Sequence, residues 1–178
     1  MTKLLLHSCC GPCSIAVLEK LKNDGVEVTT CFFNPNIHPY KEFVRRRDAW
    51  LHLMQLTETP YILEDSYLLE DWLFAVAAQP QGRCSYCYEA RLKKTAAKAV
   101  EMGFDSFSTT LLISPYQNRE QLLTIGSAVA KELGIAFYEE DFHPLFRQGQ
   151  AKAREMQLYR QQYCGCIYSE KERYLEKH

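Results

Sequence analysis

The stretch Lys3-Leu4-Leu5-Leu6-His7-Ser8-Cys9-Cys10-Gly11-Pro12-Cys13-Ser14 decides how the chain is read. Lys3–His7 is a short apolar run, the pattern of a buried strand. Ile15, Leu18 and Leu21 then recur at three-residue steps, and the run closes at Asn23-Asp24-Gly25, a helix stop. A strand thus turns into a helix at the cysteines. Outward from here the alternation repeats. Val26–Phe33 is β-branched and aromatic, Phe43, Trp50, Leu53 and Met54 share a helical face, and Pro60–Leu63 reads as a third strand. Ser66 is placed to cap a helix carrying Leu69, Trp72, Leu73 and Val76, which Gln79-Pro80-Gln81-Gly82 breaks. A further helix follows the second cysteine pair and stops near Gly103. Phe104–Thr110 and Ile135–Tyr138 are the fourth and fifth strands, and Leu122, Ile125, Val129 and Leu133 form a helical stripe between them, ended by Gly134. From Gln150 onward the chain reads as helical, interrupted at Cys164-Gly165-Cys166.

Five strands with helical crossovers predict an α/β fold with a doubly wound, mostly parallel five-stranded sheet. Such sheets bind ligands at the carboxyl ends of their strands, near the switch point. At 178 residues the expectation is a single α/β domain over 1–178, with 147–178 a C-terminal helical extension packing at the active site. A hydrophobic fraction of 47% and a charged fraction of 24% exclude a disordered or fibrous chain. No apolar run approaches a membrane span, and the apolar start is too short for a signal peptide, so a cytoplasmic protein without a membrane partner is expected.

Eight cysteines in a chain of this kind point to metal or catalysis rather than structural disulfides. Cys9, Cys10 and Cys13 sit at the strand-to-helix turn, where helix N–H groups and the macrodipole stabilise a thiolate. Cys84 and Cys87 begin a later helix. Together with Cys9 and Cys10 they supply four thiolates, enough for a [4Fe–4S] cluster or a structural zinc. Zinc sites use separated pairs, whereas adjacent sulfurs in an extended chain point to opposite sides, which suits a larger cluster. Cys164-Gly165-Cys166 is too tight to clamp one ion easily. It reads as a redox dithiol able to form a strained disulfide, with a second metal pair as the alternative. Cys31, inside a strand, reads as core. Cys10-Gly11-Pro12-Cys13 is also the tetrapeptide of thioredoxins, but here it follows the first strand, lacks a preceding Trp and has Cys9 in front. The CCG echo of heterodisulfide-reductase-type domains fails on spacing, since 73 residues separate Cys10 from Cys84.

Several motifs occur together along the chain. They are HxCCxPC at 7–13, Phe33-Asn34-Pro35-Asn36-Ile37-His38-Pro39, Glu42-Phe43-x-x-Arg46-Arg47, and Arg83-Cys84-x-x-Cys87-Tyr88-x-x-Arg91-Leu92. Phe107-Ser108-Thr109-Thr110-Leu111-Leu112-x-Ser114-Pro115-Tyr116-Gln117 and Tyr159-x-Gln161-x-Tyr163-Cys164-Gly165-Cys166 complete the set. Over essentially its full length the chain resembles the QueH-type epoxyqueuosine reductases. The resemblance implies a nucleotide-α-hydrolase (PP-loop/HUP)-like fold in which Ser8-Cys9-Cys10-Gly11-Pro12-Cys13-Ser14 replaces the phosphate-cradling SGGxDS loop, which removes the case for ATP. The sequence carries no flavin or NAD fingerprint.

The implied reaction is reduction of epoxyqueuosine to queuosine in the anticodon loop of tRNA, an epoxide becoming an alkene as oxygen leaves as water. The resemblance further implies a [4Fe–4S] cluster on Cys9, Cys10, Cys84 and Cys87, and a redox-active disulfide at Cys164 and Cys166. Some family members carry Asp where this chain has Cys13. Either residue can ligate an additional iron, able to polarise the epoxide oxygen. An external electron donor must recharge the site. His7, Asp141 and Tyr163 are candidate general acids by residue type.

Net charge is −1, so any RNA must be held by local patches. Residues 41–47 carry a net +3, as does 147–173, while Glu58–Asp71 holds five acids and no base. Arg46 and Arg47 are therefore expected to bind substrate phosphate. Tyr116 is expected to stack on an unstacked base, with Phe33, Tyr40, Tyr86, Tyr88 and Tyr163 as further stacking candidates. The competing readings are a zinc-stabilised RNA-binding module without catalysis and a thiol–disulfide oxidoreductase using Cys10 and Cys13.

Overall fold

A computed structural model describes residues 1–176. Its sheet is five-stranded and wholly parallel, in the order β3-β2-β1-β4-β5. The strands are β1 (Lys3–His7), β2 (Glu27–Phe32), β3 (Tyr61–Leu63), β4 (Ser106–Thr109) and β5 (Ala136–Phe137). The helices are α1 (Gly11–Asn23), α2 (Tyr40–Leu56), α3 (Leu69–Val76), α4 (Arg83–Met102), α5 (Arg119–Leu133), α6 (Phe146–Glu155) and α7 (Ile167–Lys171).

Leu4, Leu5 and Leu6 of β1 are fully buried because a central parallel strand is covered on both faces. The chain winds outward from β1 to β3, then returns to β1's other side as β4. Right-handed crossovers in opposite directions put the helices on both faces of the sheet. On one side α1 packs against α2 and α6, and on the other α4 packs against α5. Phe32, Phe43 and Trp50 fill the core under α2, and Gly103 and Gly134 end α4 and α5 in the left-handed conformation that glycine adopts freely. The switch point of the winding lies between β1 and β4, where His7 is paired with Thr109.

Three local expectations are corrected. Ser66 does not cap α3, whose N-cap is Leu68 with no side-chain cap bond. The second cysteine pair lies inside the first turn of α4, as expected of cysteines that begin a helix, and the helix does not follow the pair. The C-terminal segment is helical only in parts. Between α6 and α7 the chain runs from Met156 to Cys166 without regular secondary structure, and the Cys164–Cys166 pair lies on that strap. Its composition explains this, since Tyr159–Cys166 has no helical apolar period, and its buried backbone groups bond to α2 and the β2–α2 loop instead. Lys177 and His178, the end of the expected extension, lie outside the described residues.

Helix α6 reaches the site because Gly149 lets it press on the start of α1. A Cβ there would sit 3.1 Å from the Pro12 carbonyl oxygen and 3.6 Å from Ala16 Cβ. Gly149→Val is expected to lose about 1–3 kcal/mol by overpacking, read as a lower urea midpoint at unchanged m-value.

Candidate active site

The turn after β1 is fixed by a buried polar network. One ring nitrogen of His7, Nδ1, meets Thr109 Oγ1 at 2.9 Å, and Nε2 meets the Phe33 carbonyl at 3.0 Å and Asn34 Oδ1 at 3.2 Å. Asn34 Nδ2 donates to the Ser8 carbonyl at 3.0 Å. The Cys9 N–H donates to Thr110 Oγ1 at 3.1 Å, and that hydroxyl lies 3.4 Å from Cys9 Sγ. Burial, reinforced by the positive charge of Arg91, pushes the His7 pKa down to about 4. His7 is thus a neutral structural residue tying β1 to the loop after β2, and its place among the candidate acids is withdrawn.

The sulfurs of Cys9, Cys10 and Cys13 all lie within 4.8 Å of one another, a set of ligands able to hold a metal ion. Cys9 Sγ and Cys10 Sγ are 3.7 Å apart. The expectation that adjacent sulfurs diverge is therefore corrected. Cys10 is the N-cap of α1, where the strand gives way to the helix, and the two side chains lie close together there. Hydrogen bonds from Cys10 and Cys13 hold the Cys9 thiol well below its ordinary value, while donating those bonds, together with burial, pushes Cys13 up. The trio thus favours negative charge on Cys9 over Cys13. Gln161 Nε2 reaches in from the strap, 2.9 Å from Cys10 Sγ.

Cys84 and Cys87 stand one turn apart at the start of α4, Cys84 exposed and Cys87 buried. Trp72 Nε1 donates to Cys87 Sγ at 3.1 Å. Burial raises the Cys87 thiol to about 11, opposed by Arg91 and by that indole bond. Cys166 is buried in a satellite cluster with Trp72, Val76 and Cys87, and Cys164 is near enough that a charge there would raise both the Cys84 and the Cys87 thiol. The second and third cysteine groups are thus neighbours. Cys164 is exposed and accepts a bond from Gln117 Nε2 at 3.4 Å, and Cys164 and Cys166 are both free thiols. Cys31 is fully buried, as expected.

A cavity of about 850 Å³ opens over this assembly, with Cys9, Cys13, Arg91 and Cys164 in its wall. Tyr116 lines it too, 83% exposed and braced edge-on by Phe146 at 5.9 Å. Cys84 and Cys87 lie outside that lining, behind Arg91, whose Nε donates to the Cys87 carbonyl at 2.9 Å.

The two arginines singled out from charge are not free. Arg46 lines the cavity but is buried. Its Nε pairs with Glu42 at 2.7 Å, and its terminal nitrogens donate to the carbonyls of Cys164 at 2.6 Å and Tyr163 at 2.9 Å. It is a clamp on the strap. Arg47 points away from the cavity to Asp65, 2.9 Å, and Asp48. Of the aromatics, Tyr163 lines the cavity but donates its hydroxyl to the His38 carbonyl at 2.5 Å, and burial lifts its pKa to about 12. Tyr88 is buried with its hydroxyl on Gln117, Phe33 carries Lys94 over its ring, Tyr40 pairs with Tyr67, and Tyr86 lies outside the cavity lining. Asp141 accepts from the His143 N–H and faces Arg119, also outside the lining.

Sequence reasoning gave no role to Gln161, Gln117, Arg91 or Trp72. Membership of the quoted motifs was the signal for the first three, and for Trp72 there was only its place on the apolar face of a helix.

His38 ties the strap to the loop after β2. Its N–H donates to the Gly165 carbonyl at 2.8 Å, its carbonyl accepts from Tyr163, and its Nδ1 accepts from the Ile167 N–H at 3.4 Å while Nε2 donates to the Pro35 carbonyl at 3.2 Å. Burial lowers its pKa from 6.5 to about 4. The unfolded chain therefore takes the proton first. The stability this histidine contributes is complete above pH 6.5 and is lost as pH falls toward 4. A loss of about 2 kcal/mol is expected between pH 7.5 and 5 from this group, and His38→Gln should flatten that slope in urea titrations at the two pH values. Arg46→Met should free the strap, so that Cys166, slow to alkylate in the parent, reacts with iodoacetamide nearly as fast as Cys164 by mass spectrometry.

The family model described as "Epoxyqueuosine reductase QueH" matches residues 4–172. A protein of that name from Dehalococcoides mccartyi is 38% identical over 172 residues, covering 97% of this chain and 94% of the relative. Another from Streptococcus pyogenes serotype M1 is 36% identical, covering 94% and 70%. Among solved structures, the U34-tRNA thiolase NcsA from Methanococcus maripaludis with its [4Fe-4S] cluster aligns with a TM-score of 0.55 at 17% identity, over 94% of this chain and 61% of that one, a likeness of fold. From the match along nearly its whole length, this chain belongs to the epoxyqueuosine reductase QueH family.

Proposed function

We propose that the protein reduces epoxyqueuosine to queuosine in tRNA. The observation that carries this reading is the convergence of three cysteine sulfurs beneath a cavity with a fourth cysteine, Cys164, in its wall. The family relationship supplies the reaction class. The balance is an epoxide plus two electrons and two protons giving an alkene and water. Cys164 and Cys166, passing from two thiols to a disulfide, would release two electrons and two protons, and an external donor would reduce them again. On this reading the chain is a single α/β domain whose C-terminal extension, expected over 147–178, carries the dithiol, with Cys164 in the cavity wall and Cys166 beside Trp72 and Cys87.

On this reading Cys9, Cys10, Cys84 and Cys87 would hold an iron–sulfur centre, and thiolate donors are the chemistry such a centre needs. Arg91 is buried, and among the described residues no carboxylate lies within 4.0 Å of it. An unpaired buried cation is costly unless an anion faces it, and thiolates with a bound metal centre are such an anion. The indole N–H aimed at Cys87 Sγ is a bond of the kind that tunes such centres. A bound cluster would supply electrons one at a time. The chain's own residues do the rest: Tyr116 offers a face for a base, Gln117 and Gln161 aim N–H groups at the sulfurs, and the Arg46 clamp holds the strap over the cavity floor.

A second reading concerns Cys13. Metal–sulfur bonds of about 2.3 Å in a tetrahedron put sulfurs roughly 3.8 Å apart, close to the 3.7 Å between Cys9 and Cys10. That spacing favours a single iron on the trio, in which Cys9 and Cys10 would serve that ion together with Cys13 in place of the cluster.

Iron and sulfide analysis after anaerobic purification, with mass spectrometry of nucleosides from epoxyqueuosine tRNA, tests the proposal. A coloured protein bleached by dithionite and yielding queuosine is expected. Cys84→Ser should lose cluster sulfide and lower activity roughly 10–100-fold or more, and Cys164→Ser should keep the metal but not turn over. A colourless, zinc-loaded and inactive protein overturns the reading in favour of an RNA-binding module. Retention of one metal without sulfide in Cys84→Ser locates that ion on the trio.

A further inference from the structure

The cavity wall holds six arginines, Arg46, Arg91, Arg147, Arg154, Arg160 and Arg173, no lysine, and one carboxylate, Glu172. Glu172 is itself taken by Arg83. In a chain with 21 basic and 22 acidic residues this is a strong local excess. Arg46 and Arg91 are buried and hold backbone carbonyls. The other four differ. Among the described residues none of Arg147, Arg154, Arg160 and Arg173 has a carboxylate within 4.0 Å, and the Arg160 guanidinium donates only to Gln150, at 3.2 Å.

Their placement is built into the fold. On α6, Arg147, Gln150 and Arg154 recur at i, i+3 and i+7, one helical face turned to the cavity, while Gly149 and Ala153 on the other side are buried. Arg160 comes from the strap and Arg173 from the turn after α7. Three separate segments thus aim free guanidinium groups at one concavity, whose floor carries the thiols and whose rim carries the exposed ring of Tyr116.

We infer that Arg147, Arg154, Arg160 and Arg173 form a phosphate clamp that holds the backbone on either side of one extruded loop nucleotide of RNA, whose base stacks on Tyr116. The inference rests on the reading that the substrate is a nucleotide in RNA and adds how it is gripped. Planar guanidinium forks match phosphate oxygens two at a time. A volume of about 850 Å³ admits a nucleotide but not a duplex. Enzymes that act on a base take it out of the stack, and loops give up a base at lowest cost. An acidic electron-donor protein would also meet the positive charge, but a concave wall with an aromatic rim suits a flexible strand better than a folded surface. The surface arginine Arg47, expected from the sequence to bind substrate, has no part in the clamp because Asp65 and Asp48 hold it.

The test is equilibrium binding of the full chain to a fluorescent, unmodified RNA hairpin, followed over a range of salt concentrations. Comparison ligands are a blunt RNA duplex of equal charge and polyglutamate. Each phosphate contact adds roughly 0.7–0.9 to the slope of log affinity against log salt. Arg147→Gln with Arg154→Gln is expected to lower that slope by about 1.5 and the affinity about tenfold at low salt. Tyr116→Ala should weaken the hairpin roughly five-fold or more by loss of stacking, with the slope unchanged. All three positions are exposed, and unchanged urea midpoints verify that the variants fold. Unchanged slope and affinity in the double variant overturn the clamp. So does duplex binding as tight as the hairpin's, or displacement of the hairpin by polyglutamate at equal charge, which marks the cavity as a protein-docking surface. Because the probe carries no epoxide, these outcomes are independent of the reductive chemistry. Normal binding with no queuosine formed would instead sink the proposed reaction and leave the clamp standing.

Discussion

The guanidinium of Arg46 reaches from α2 to the consecutive carbonyls of Tyr163 and Cys164, with Glu42 fixing its third side, and everything contributed by the C-terminal part of the site hangs from that contact. The strap has no helix or sheet of its own to satisfy its backbone. Its polar groups must find partners elsewhere, and Arg46, His38 and Asn36 line the trough that receives it. Tyr159 completes the arrangement by donating to the second oxygen of Glu42 at 2.6 Å. The buried ion pair is thus fully hydrogen-bonded, the condition under which such a pair is tolerated in a core. Gly165 lies against the Asn36 carbonyl, where a Cβ would approach to 3.0 Å at a φ of +159, so the residue between the two cysteines has to be glycine.

The same contact links two regions of different character. Below it lies the switch point of a parallel sheet, where β1 and β4 end side by side and leave a crevice that the cysteine turn fills. Above it lie α6, the strap and α7, carrying the arginines that make the cavity positive in a protein with a net charge of −1. The Cys9 and Cys13 sulfurs and most of the arginines come from opposite ends of the chain and share one wall. Arg91 joins them electrically, since its charge acts on His7 beside the first cysteine group and on Cys84 and Cys87 in the second.

Local pattern made much of this legible before any coordinates. Apolar runs and helical periods located all five strands, because a buried parallel strand and an amphipathic helix each leave a signature within ten or so residues. The glycines after α4 and α5 were readable for the same reason. The cysteine grouping, and its place at a strand end, followed from spacing alone. Arg46 and Arg47 show the limit. Their neighbourhood is basic in sequence, yet one is taken by carbonyls more than a hundred residues away and the other by Asp65. Charge counted along the chain says nothing of which charges are already paired.

What the sequence by itself determined, then, is the doubly wound sheet, the three cysteine groups and the family to which they belong, since each is written in short-range order or in motifs. Only the tertiary structure decided that the sulfurs of Cys9 and Cys10 converge, that the second and third cysteine groups are neighbours behind Arg91, and that the free arginines are those of α6, the strap and the turn after α7. Those facts depend on contacts between residues far apart in the chain, and the direction of a side chain after folding is set by the neighbours that packing brings to it rather than by the residues beside it.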